Sequence, residues 1–222
     1  MELLVWLVAI LLGYLFGSLP TGYIAGRLKG LDLRKVGSGN IGATNAIRNL
    51  GLKIGIVVLL IDVIKGLIPC ILFPELIVNL FPATYDSNLE YLGLILGVSA
   101  ILGHNFSCWL GFKGGKGVAT TAGVVGGLAL IPFVICFFSW ILAVLVSRYV
   151  SVASIVAAII LPLAMAIWPN DLTNRFGILF WVFLILGIMV IWKHVSNIKN
   201  LMNGTEHRLF DKKSPYKKEE QS

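Results

Sequence analysis

Charge is scarce in this sequence, and negative charge is scarcer still. Only 13% of the 222 residues are charged, 57% are apolar, and the mean hydropathy is +0.88. That balance excludes an ordinary water-soluble domain and fits a polytopic membrane protein. No Asp or Glu occurs from Leu33 to Ile61 or from Tyr91 to Asn170, so those stretches hold no carboxylate base. Cys70, Cys108 and Cys136 are odd in number and widely spaced, which argues for packed thiols and against a disulfide framework. His104, His194 and His207 lack short-spaced His, Cys or carboxylate partners; no metal site and no other cofactor is expected. The net charge of +7 is unaccompanied by an aromatic-basic surface module, so nucleic acid is not expected as a partner. The opening MELLVWLVAILLGYLFG has no basic leader and no small-x-small cleavage site before Ser18, so it should remain as a membrane helix.

Six apolar runs are present: Leu3–Ile24, Ile54–Phe73, Leu89–Leu102, Val118–Val146, Val150–Trp168 and Phe176–Trp192. A crossing needs about 20 residues. Six crossings would place the basic tail on the side opposite the first basic loop, against the tendency of Lys and Arg to stay cytoplasmic. Val118–Val146 is too long for one ordinary span and carries Gly126, Gly127 and Pro132 near its middle, so it should split there. Each half is then short, and helix should begin inside the preceding Gly-rich loop or the hairpin should sit shallow. The expectation is an all-α polytopic integral membrane protein with seven transmembrane helices, the N-terminus outside and the C-terminus cytoplasmic. Sixteen of the 18 basic residues then lie inside, leaving Arg175 outside and Lys65 within a helix, with Glu75, Asp86 and Glu90 outside. Residues 1–202 make one transmembrane domain, and 203–222 a polar, partly disordered cytoplasmic tail in which Glu206 and His207 read as tail polarity.

Three acid-free segments interrupt the apolar sequence, and this topology puts all of them on the cytoplasmic side: SGNIGATNAIR from Ser38, GHNFSCWLGFKGGKGVATT from Gly103, and KHVSNIKN from Lys193. Glycines let backbone amides approach a ligand, while Ser and Asn add neutral donors and Arg48 a planar phosphate clamp. GFKGGKG precedes a helix, where an anion is favoured, yet it is no nucleotide-binding P-loop, because Gly117 stands where Ser or Thr would hold magnesium. His194 and Asn197 share a helix face beside Lys193. Each segment alone also reads as a turn with topology-setting charges; together they describe a pocket for phosphate-bearing substrates. Asp62 and Lys65, at i and i+3, should form a structural pair bordering it.

In order, SGNIGATNAIR, GHNFSCWLGFKGGKGVAT, SRYVS, and KHVSNIKN with the following NGTE resemble the bacterial acyl-phosphate:glycerol-3-phosphate acyltransferases, the PlsY family, from GSLPTGYI at Gly17 to NGTE at Asn203. The resemblance implies transfer of a fatty acyl group from acyl phosphate to the 1-hydroxyl of glycerol 3-phosphate at the start of phospholipid synthesis. The products are 1-acylglycerol 3-phosphate and inorganic phosphate, with no acyl-CoA or acyl carrier protein donor. It implies a bacterial inner-membrane enzyme with its active site facing the cytoplasm, working among membrane lipid; a monomer is expected. The His-x-x-x-x-Asp pattern of the larger glycerolipid acyltransferase group is absent, His207 having Asp211 only four places on.

Carried over, the resemblance points to Ser38, Arg48, Lys116, Ser147, Arg148, His194 and Asn197, with Lys113 nearby. Ser38, Lys116, His194 and Asn197 are the expected catalytic groups, and Gly39, Asn40, Thr44, Asn45, His104, Gly115 and Gly117 complete the expected substrate-binding set. Acyl phosphate is already an activated anhydride, so direct attack without an acyl-enzyme is expected, a donor phosphate oxygen or His194 taking the proton. Cys108 is the one thiol within a motif, but no adjacent base would activate it. The main alternative is a transporter of an anionic solute, although transport sites usually lie near the midplane between repeated halves, and no repeat is found here. A non-catalytic lipid-binding scaffold would explain the basic faces but not the clustered Gly, Ser and Asn.

Overall fold

The structure, a computed structural model, describes residues 2–82, 89–168 and 177–209. Asp86, Arg175, the side chain of Glu90 and the tail from residue 210 lie outside the described residues. Among the described residues all regular structure is helical.

The first apolar run is two helices, α1 (Glu2–Ser18) and α2 (Thr21–Leu28), because Pro20 disfavours helical backbone at the residue before it. α3 (Ala43–Leu50) ends at Gly51, where φ of +90° suits a residue without Cβ. α4 (Leu52–Ile71) and α5 (Phe73–Leu80) follow, then α6 (Leu89–Asn105), α7 (Val118–Leu128), α8 (Leu130–Ser147), α9 (Val150–Ile167), α10 (Ile178–Lys193) and α11 (Val195–Met202). Among the described residues five segments are long and apolar enough to cross a membrane, six if α10 and α11, bent by 50°, count as one span. The long run does divide, but at Ala129 (φ −152°, ψ 81°), three residues before Pro132. Pro132 sits in the first turn of α8, where no intrahelical donor is needed, so it is accommodated there. At roughly 1.5 Å per residue, the 11 residues of α7 reach about 16 Å, half a hydrocarbon core.

Small residues set the packing that shapes the site. A Cβ on Gly66 of α4 would strike the Thr120 carbonyl, and one on Gly123 of α7 the Val63 carbonyl, so these two backbones touch. Gly13 and Gly17 bring α1 onto the backbone of α6 at Leu96 and Ala100 in the same way. Leu94, Ile101, Val124, Val125, Met165, Leu179 and Phe183 fill the centre. Phe138, Leu142, Leu145, Trp181, Ile185 and Ile188 face outward, an apolar exterior suited to lipid.

Candidate active site

Three turns converge at one end of the bundle, and hydrogen bonds among them show it. Lys193 Nζ donates to the Asn105 carbonyl (2.8 Å), Arg48 to the His207 carbonyl (2.9 Å), and the Leu209 amide to the Arg148 carbonyl (2.8 Å).

The first turn leads into α3. Asp32 accepts the Arg34 amide, and the Asn40 side chain accepts the Gly42 amide (2.8 Å), a local bond that Asn makes readily. Asn45 lines the cavity, but its carboxamide is fully engaged with backbone and with Asn49. Asn45, expected to bind substrate, has no side-chain donor or acceptor left over in this arrangement. Gly39 closes the turn through Val36 and stands outside the cavity lining.

The second turn folds back on the end of α6. The Gly114 amide donates to the Asn105 carbonyl (3.2 Å) and the Gly115 amide to the His104 carbonyl (3.0 Å). Gly115 lies on the His104 imidazole where a Cβ has no room, and its amide is engaged by the loop. Gly117, with φ of +76°, caps α7, and Gly117, Val118 and Ala119 line the cavity at the helix end whose first-turn amides have no intrahelical partner. Beneath the loop the Lys65 ammonium, 2% exposed, donates to the Leu19 carbonyl (2.7 Å), pairs with Asp62 (2.8 Å) and lies 3.4 Å from His104 Nδ1. An ammonium only donates, so His104 accepts at Nδ1 and carries its hydrogen on Nε2, toward Gly115.

The third turn supplies His194 and Asn197. His194 Nδ1 donates to the Val190 carbonyl (2.8 Å), which fixes the tautomer and leaves Nε2 for the cavity. Lys116 Nζ donates to Asn197 Oδ1; Asn197 Nδ2 donates to Glu206 Oε1 (2.7 Å), which also accepts from Ser151 (2.8 Å). Burial lowers the Lys116 pKa to about 8, with Glu206 opposing that shift and Arg48 reinforcing it. The ammonium is therefore charged below that value and neutral above it. If the charged form binds phosphate, kcat/KM for an anionic substrate falls as pH rises through about 8. Lys116→Arg should move that limb upward, whereas a profile flat to about pH 9.5 would exclude Lys116 as the titrating group.

These groups enclose a cavity of about 390 Å³. Of the residues expected in the site, Ser38, Asn40, Thr44, Asn45, Arg48, His104, Lys116, Gly117, His194 and Asn197 line it. Gly39, Lys113, Gly115, Ser147 and Arg148 do not. Ser147 bonds back to the Ala143 carbonyl (2.6 Å), and Lys113 and Arg148 stand exposed. Glu206 corrects the reading of residues after 202 as tail: it lines the cavity and ties Asn197 to α9. Ser151 and Ser154 were missed as well; hydroxyls three apart at the start of an apolar helix were the available signal. Below the polar groups the wall turns apolar: Leu60 and Val63 of α4, Val125 of α7, Phe133 and Phe137 of α8, and Leu161 of α9.

A chamber in which Arg48 and Lys116 stand with Asp62 and Glu206 opens into an apolar groove inside a helical membrane protein, a shape that suits an amphiphilic ligand. The chain matches the family model described as glycerol-3-phosphate acyltransferase over residues 7–204. It belongs to that family. A glycerol-3-phosphate acyltransferase of Chlorobaculum tepidum is 44% identical over 229 residues, covering 93% of this chain and 97% of that one. The namesake of Desulforamulus reducens is 42% identical over 209 residues with the same coverage. Among solved structures, PlsY (YgiH), an integral membrane glycerol 3-phosphate acyltransferase, is similar in its glycerol 3-phosphate form, with TM-score 0.78 and 36% identity. Its lysophosphatidic acid form gives TM-score 0.74 and 35% identity; each match covers 91% of this chain and 94% of the other.

Proposed function

We propose that this chain moves a fatty acyl group from acyl phosphate to the 1-hydroxyl of glycerol 3-phosphate, as the first acylation of phospholipid synthesis. The observation that carries the reading is the union, in one cavity, of Arg48, Lys116 and the α7 amides with an apolar groove between α4, α7, α8 and α9. The solved relatives in glycerol 3-phosphate and lysophosphatidic acid forms, the acceptor and product of such a reaction, support it.

Arg48, Lys116 and the first-turn amides of α7 hold the two phosphates, and the acyl chain lies in the groove. Ser38, Asn197 and His194 orient the attacking hydroxyl and the developing oxyanion, and a phosphate oxygen of the donor accepts the hydroxyl's hydrogen. The hydroxyl oxygen bonds to the acyl carbonyl carbon, the bond from that carbon to the phosphate oxygen breaks, and the hydroxyl proton leaves with the phosphate. The anhydride supplies the driving force, so no acyl-enzyme is needed. Arg148 and Lys113, exposed at the same end, add to the field that draws anions in.

Seven crossings, with α7 as a short pass prolonged by its glycine loop, put this end of the bundle at the cytoplasmic face of a bacterial inner membrane and the N-terminus outside. Arg34, Lys53, Lys113, Arg148, Lys199 and Arg208 at that end support the orientation.

Donor choice tests the reading. Palmitoyl phosphate should acylate glycerol 3-phosphate, while palmitoyl-CoA and acyl carrier protein should not; the reverse order of donors refutes it. Cys108 contacts Ser18 (3.5 Å) and lies outside the cavity lining. Cys108→Ala should therefore keep full turnover and leave no hydroxylamine-sensitive acyl adduct to lose. A dead Cys108→Ala enzyme would speak for a thioester.

A further inference from the structure

Asn45 is 2% exposed, and its bonds go to one place. Nδ2 donates to the carbonyls of Leu33 (3.1 Å), Val36 (3.1 Å) and Asn40 (2.8 Å), while Oδ1 accepts from the Ser38 amide (3.1 Å) and Asn49 Nδ2 (2.9 Å). All but the last belong to the turn from Leu33 to Asn40, which carries Ser38 between Gly37 and Gly39, both at positive φ. The turn's own bonds lie at its ends, Arg34 and the Lys35 amide to Asp32 and the Gly39 amide to Val36. A glycine-flanked serine so weakly tied would sample many orientations if left to itself. Its frame is supplied from α3, by a side chain one helical turn before Arg48.

We propose that Asn45 is a positioning residue for acyl transfer: it locks the Ser38 turn to the helix that bears Arg48, so that a glycerol phosphate gripped by Arg48 meets the Ser38 hydroxyl in register. The inference rests on the acyl-transfer reading above. Asn45 touches no substrate, and its effect passes through Ser38. The chemistry of the amide makes the role specific. Asp has the same shape but no hydrogens, so Asn45→Asp turns three attractive contacts with carbonyls into repulsive ones.

Steady-state kinetics of the full chain in lipid, with palmitoyl phosphate and glycerol 3-phosphate, test this. Asn45→Asp should lower kcat about 10²-fold, the scale of a misplacement of about 1 Å, and leave KM for glycerol 3-phosphate within about threefold. A merely structural role would not give that split, nor the following one. In a cycle with Ser38→Ala, the double variant should be no slower than the slower single variant within about threefold, since without Ser38 there is nothing left to position. Asn49→Ala, which removes one donor to Asn45 Oδ1, should show the same split at roughly a tenth the size and serves if Asn45→Asp does not fold.

A raised KM with unchanged kcat, or additive losses in the cycle, overturns the proposal. If Ser38→Ala keeps full kcat, the acyl-transfer reading of the turn itself fails. If Ser38→Ala is slow while Asn45→Asp or, where that variant does not fold, Asn49→Ala runs at the wild-type rate, only the positioning role falls.

Discussion

Lys116→Ala is expected to lower kcat at least about 10²-fold, the usual cost of removing a donor aimed at developing charge. Lys116 stands one residue before the Gly117 cap of α7, so in the proposed reaction its ammonium and the first-turn amides of α7 would act on the same anion. Its hydrogen bond to Asn197, itself held by Glu206 against Ser151, gives the flexible side chain a fixed direction before substrate arrives. Alanine removes the charge and also frees the Asn197 oxygen. The measurement is turnover of the purified variant, with thermal unfolding as a check on folding. Near-normal turnover in a folded variant removes Lys116 from the chemistry.

Asp62→Ala should carry the largest stability cost in the molecule. It strands the Lys65 ammonium inside the bundle, and breaking a buried pair in this way costs about 3–5 kcal/mol. The pair ties α4 to the end of α1 through the Leu19 carbonyl and to α6 through His104, so the loss should appear as global unfolding at lower temperature. Replacing both partners, as Asp62→Ala with Lys65→Met, should recover most of the loss, because no lone charge is then buried. An unchanged melting temperature for Asp62→Ala refutes the pair as the tie among the three helices.

Much of this site was legible before any coordinates. Scarce carboxylates, Gly-rich turns and Lys and Arg clustered on one side of the apolar runs place three distant segments at one end of a helical bundle, and Asp62 with Lys65 reads correctly as a buried pair beside the cavity. The role of an individual amide was not legible. Asn45 and Asn197 look alike in sequence, yet one spends its side chain on a turn and the other presents it to Lys116. Nothing in the sequence shows that Gly115 packs against the His104 imidazole, where a Cβ has no room. Ser147, read as a ligand contact, satisfies its hydroxyl within its own helix. Pro132 advertised a break that Ala129 makes, since a proline in a first turn costs little. Glu206 carried no helical period to mark it, and only the return of the chain after α11 onto α9 brings it to the cavity.

The most direct test of the central claim is phosphate release from palmitoyl phosphate by the purified protein in a lipidic environment, with and without glycerol 3-phosphate. One phosphate should appear for each 1-acylglycerol 3-phosphate formed, and almost none without the acceptor. Release that ignores glycerol 3-phosphate, or movement of anions across vesicles with no chemistry at all, would contradict the account.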